Sequence, residues 1–88
     1  MRIGIKILSS TEPASIQGVP CTRQRVYLAE LDITSAKEAL MEVMRGRQAV
    51  GNLNQSVSIR CGDDKDFYSV KTKAEIIGWI NNCLKMGQ

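Results

Sequence analysis

The stretch 72–87 carries more apolar surface at helical spacing than any other part of the chain, so the rest must be arranged around it. Thr72 stands three residues before Glu75, a capping box in which each side chain can satisfy a free backbone N–H at a helix start. Lys85 suits the negative end of the helix dipole, and Gly87 can take the left-handed conformation that closes a helix. Between these ends Ile76, Ile77, Ile80, Cys83 and Leu84 recur at helical spacing beside Trp79. The pattern predicts an amphipathic helix on which a sheet packs.

A chain of 88 residues forms one domain, 1–88, and buries roughly 60–65% of its unfolded surface in a single modest core. Such a core takes up one stripe of each helix more readily than two. The apolar residues of the last helix wrap more than half of its circumference. Trp79, Cys83 and Met86 are therefore candidate partner-binding residues, Trp and Met being enriched at interfaces.

Read in order, Ile3, Ile5 and Ile7 alternate with Arg2, Gly4 and Lys6, which predicts a half-buried strand. The stretch 9–22 is irregular and holds Pro13 and Pro20, neither of which can donate a ladder hydrogen bond. It reads as a long loop, pinned to the core edge by Ile16 and Val19, and its length makes those two residues binding candidates. Residues 23–32 read as a second strand, with Tyr27, Ala29 and Leu31 on one face and Val26 and Leu28 on the other. Two partly apolar faces predict a central position in the sheet.

Ser35 and Glu38 form another capping box, and Ala36, Ala39, Leu40, Val43 and Met44 continue it as an apolar helical stripe to about Arg47. Gly46 or Gly51 ends that helix, and Val50 and Leu53 anchor the loop after it. Val57, Ile59 and Cys61 mark a third strand, the Gly- and Asp-rich run 62–66 a hairpin connection, and 67–71 a fourth strand. The expected fold is a small α+β domain of order β-β-α-β-β-α: an antiparallel sheet of about four strands with both helices on one face.

Chemistry-bearing motifs are sparse. The chain has no His and no Cys-x-x-Cys pair, so the usual zinc and haem ligand sets cannot be assembled. Asp63, Asp64 and Asp66 cluster but lack the EF-hand spacing, and Lys65 sits among them, so a solvated turn is expected rather than a metal site. No phosphate-cradling glycine motif occurs, and no cofactor is expected. Cys21, near Arg23, is the best candidate nucleophile, but a base is missing. The three cysteines are odd in number and spread singly, which reads as buried, reduced thiols at Cys61 and Cys83.

No apolar run approaches the ~20 residues that span a bilayer, so no membrane association is expected. The start Met1-Arg2-Ile3-Gly4 does not read as a leader, and a cytosolic location, including a host cytosol, is expected. Net charge is +3, a mild lean toward anionic partners without compact basic runs.

Two functions fit this inventory. The first is a non-catalytic protein-binding module, a small inhibitor or adaptor of the kind a phage or mobile element encodes, whose partner is another protein or a second copy of the chain. The second is a nucleic-acid-binding module using a basic and aromatic strand face made of Arg23, Arg25 and Tyr27, with Lys71 and Lys73 beside it.

Overall fold

A computed structural model describes residues 1–51 and 54–86, with Met86 described by its backbone only. The expected Leu53 anchor, the Gly87 helix stop and the candidate side chain of Met86 lie outside the described residues. The elements are β1 (Arg2–Ser9), β2 (Glu12–Ile16), β3 (Val19–Arg23), β4 (Val26–Asp32), α1 (Ala36–Val50), β5 (Gln55–Cys61), β6 (Tyr68–Val70) and α2 (Lys73–Met86). The main sheet is antiparallel, in the order β4-β1-β5-β6. Strands β2 and β3 form a separate two-stranded ribbon. The chain is the expected α+β domain, with one hairpin added inside the stretch that reads as a loop.

The core follows from strand alternation. Ile3, Ile5 and Ile7 of β1 register with Cys61, Ile59 and Val57 of β5, and all six are buried. Ala39, Val43 and Val50 of α1 and Ile76, Ile80 and Cys83 of α2 complete the same cluster. Both helices therefore cover one face of the sheet. The central strands are β1 and β5, and β4 lies at an edge, contrary to expectation. Its second apolar face does not enter a core: Val26 and Leu28 point to the open side of the sheet and are exposed.

The helix starts differ from each other. Glu75 donates its N–H to Thr72 Oγ1 at 3.1 Å, so the expected Thr72 cap forms, while its carboxylate accepts at 3.0 Å from the N–H of Lys71, one residue before the cap. At α1, Ser35 makes no side-chain cap, and Glu38 instead accepts from the N–H and the hydroxyl of Thr34. Gly46 does not end α1 but lies buried inside it. A Cβ there would stand 2.6 Å from both Ile7 Cδ1 and Tyr27 Cδ1. The glycine marks the closest approach of helix to sheet, and Gly51, with φ of 96°, ends the helix.

Cys61 and Cys83 are not free thiols. They form a disulfide between the end of β5 and α2, with Cα atoms 6.2 Å apart. Their separation of 22 residues hid the pair, because only the antiparallel return of α2 over the sheet brings them together. Closing a loop of that length stabilises the fold by about 3 kcal/mol.

Candidate functional site

The β2–β3 ribbon is the part of the molecule that packs least on the rest. Its turn is Gln17-Gly18, with φ of 53° and 81°. Two positive φ values in a two-residue loop give a type I′ hairpin, whose twist matches that of the flanking strands. Ile16 pairs with Val19 across this turn, then Ser15 with Pro20, Ala14 with Cys21, Pro13 with Thr22 and Glu12 with Arg23. Antiparallel pairs alternate between hydrogen-bonded and non-bonded, and the pair closing a two-residue loop is bonded. Both prolines therefore fall in non-bonded pairs, where an N–H would point outward and not across the ribbon. The residues that argue against strands in the sequence cost this hairpin no ladder bond.

Alternation sorts the ribbon into two faces. Ala14, Ile16, Val19 and Cys21 share one, above the Glu12–Arg23 pair; Pro13, Ser15, Pro20 and Thr22 share the other. Ile16 and Val19 do not pin this segment to the core edge. They stand at its tip, 68% and 63% exposed. Cys21 is half-buried and unbonded, on the apolar face beside Ala14.

The base of the ribbon is held firmly. Ser9, buried at the end of β1, donates its N–H to the Arg25 carbonyl at 3.0 Å. Its hydroxyl accepts from the Arg25 N–H at 2.8 Å, and its carbonyl accepts from the Gln24 side chain at 2.8 Å. Arg23 Nε lies 2.6 Å from Glu12 Oε1, Arg25 Nε 3.7 Å from the same oxygen, and Arg25 Nη1 reaches the Val50 carbonyl at the end of α1. Anchored in this way, the arm projects, and the molecule measures 54 × 23 × 17 Å.

The other candidate residues lie apart from the arm. Trp79 is half-buried, its ring 5.0 Å from that of Tyr68, and its Nε1 is buried without a hydrogen-bond partner among the described residues. Cys83 is buried in the disulfide and offers a partner no surface. The basic and aromatic strand face does not assemble. The strand breaks between Arg23 and Val26, so Arg23 belongs to β3 and Arg25 to the junction. Tyr27 packs onto α1, where its hydroxyl donates to the Glu42 carboxylate. That hydrogen bond raises the Tyr27 pKa, with burial and the nearby Glu42 charge adding to it, because a phenolate would face a carboxylate; Arg45 opposes the shift. Lys71 and Lys73 lie at the other edge of the sheet, three strand spacings or about 14 Å from β4, at the start of α2.

Among the described residues, no group of three His, Cys, Asp or Glu side chains is placed to hold a metal ion, and no helix is long and apolar enough to cross a membrane. No protein-family model, no curated protein and no solved structure matches this chain.

Proposed function

We propose that this protein is a non-catalytic protein-binding module whose primary contact is the β2–β3 arm. The observation that supports this is the exposed Ile16–Val19 pair at the tip of a ribbon that the body anchors only at its base. A two-stranded hairpin is marginal in water without a surface to pack on. An apolar face on such an arm gains most by entering a cleft on another protein.

The prolines refine the mode of contact. On each outer edge of the ribbon one outward donor is absent, at Pro13 on β2 and at Pro20 on β3. Edge-to-edge strand addition needs those donors, so side-chain insertion from the face and tip is favoured over extension of a partner's sheet. Binding through nucleic-acid contacts has less support, since both arginines at the arm's base are engaged with Glu12 and the tip carries no cation. The disulfide argues for an oxidising compartment and weighs against the cytosolic location that the sequence suggests.

The test compares the wild-type chain with Ile16→Asp/Val19→Asp in capture from nuclease-treated extract, with sedimentation of both alone. A partner, or a second copy, that is lost in the variant while its circular-dichroism melt is unchanged supports the reading. Capture that is identical for both chains sinks it.

A further inference from the structure

A second surface lies on the helical layer, away from the arm. α1 and α2 leave a groove between them with a cavity volume of about 470 Å³. Its floor is Leu40, Met41 and Met44 of α1 with Ile76 of α2, and both methionines are more than half exposed. Lys37, Arg47, Lys71 and Lys73 stand around it, and among the described residues no carboxylate lines it. The acids of α1 are turned elsewhere: Glu38 to Thr34, and Glu42 to Tyr27 and Arg45. Glu75 is held by its own helix cap. Four cations around an apolar floor have no acidic counterpart within the groove.

We infer that this groove receives an acidic amphipathic helix of a partner protein, laid between α1 and α2. The apolar stripe of such a helix would cover the methionine floor, and its flanking carboxylates would meet the lysines and Arg47. Methionine floors suit this role because the unbranched thioether repacks around different side chains. The spread of the cations decides between a helix and a single anionic headgroup. Lys37 and Arg47 are ten residues apart on α1, roughly 15 Å along its axis, a span of several helical turns. Nucleic acid fits poorly because the floor offers neither aromatic rings nor hydrogen-bonding groups to bases.

The probe is a synthetic peptide of about 18 residues, five helical turns, with a leucine stripe flanked by glutamates. Its control carries the same stripe flanked by lysines. Each is titrated into the full ¹⁵N-labelled chain. The acidic peptide should shift the amides of α1 and the start of α2, bind at least tenfold more tightly than the basic one, and weaken as salt rises. Lys71→Glu/Lys73→Glu should weaken it about tenfold again, with the melt unchanged, because glutamate is favourable at a helix N-terminus. Met41→Ser/Met44→Ser should weaken both peptides. Equal binding of the two peptides, shifts confined to the arm or the open sheet face, or tighter binding of phosphatidylglycerol vesicles or poly-uridine than of the acidic peptide would each overturn the inference.

Discussion

The strand β1 and the ribbon β2–β3 are built from similar material and come to opposite ends. Ile3, Ile5 and Ile7 are at most 1% exposed, whereas Ile16 and Val19 are more than 60% exposed. Both segments alternate in the same way and both are twisted antiparallel strands. The difference is what lies above them. β1 has strands on both sides and two helices over one face, while among the described residues the ribbon has neither a third strand nor a helix. Apolar residues in the first place hold the fold, and in the second they are free to contact something else.

The comparison is broken most directly by shaving one isoleucine from each region. Ile5→Ala should cost about 2–5 kcal/mol in a urea titration, and Ile16→Ala no more than about 0.5. Similar losses would mean that the arm is packed on the body after all. The cysteines give the next contrast. Cys83→Ser, which opens the disulfide, should lower stability by about 3 kcal/mol, whereas Cys21→Ser should leave the midpoint in place. An equal stability of the Cys83 variant and the wild type under oxidising conditions would show that the 61–83 loop is not closed in solution.

Two glycines sharpen the same division at smaller magnitude. Gly46→Ala should destabilise the body by about 1–3 kcal/mol despite alanine's better helix propensity, because its methyl meets Ile7 and Tyr27. Gly18→Ala has open space around it, but its φ of 81° disfavours any side chain. It should speed amide exchange within the arm while sparing the global melt.

The smallest effect concerns Tyr27. Its pKa in the folded chain lies above the ordinary value of 10.0, so the Glu42 hydrogen bond contributes stability below that pH. The contribution is lost as pH rises through the folded pKa. Tyr27→Phe should remove this alkaline loss and leave the arm's exchange rates unaltered. An alkaline melt that falls equally in the variant would assign the pH dependence to other groups.

Much of the fold was legible because it depends on spacing along the chain. The 3.6-residue period around Ile76 and Ala39 and the two-residue period of Ile3, Ile5 and Ile7 determined where helices and a core strand form. The Thr72–Glu75 cap is local chemistry and was equally readable. The arm was hidden by Pro13 and Pro20, since only the pairing register reveals that they fall where no bond is lost. Ile16 and Val19 could be named as candidates for contact, but their place at a free tip could not. Met41, Met44, Lys37 and Arg47 had a weaker signal, two methionines three apart on one helix. The tertiary structure alone decided that β4 is an edge, that Cys61 meets Cys83, that Tyr27 faces α1 and that four cations gather over one groove. The reason is common to all four. Each depends on the relative placement of elements distant in sequence, and the order of strands in a sheet leaves no periodic trace in the chain that forms it.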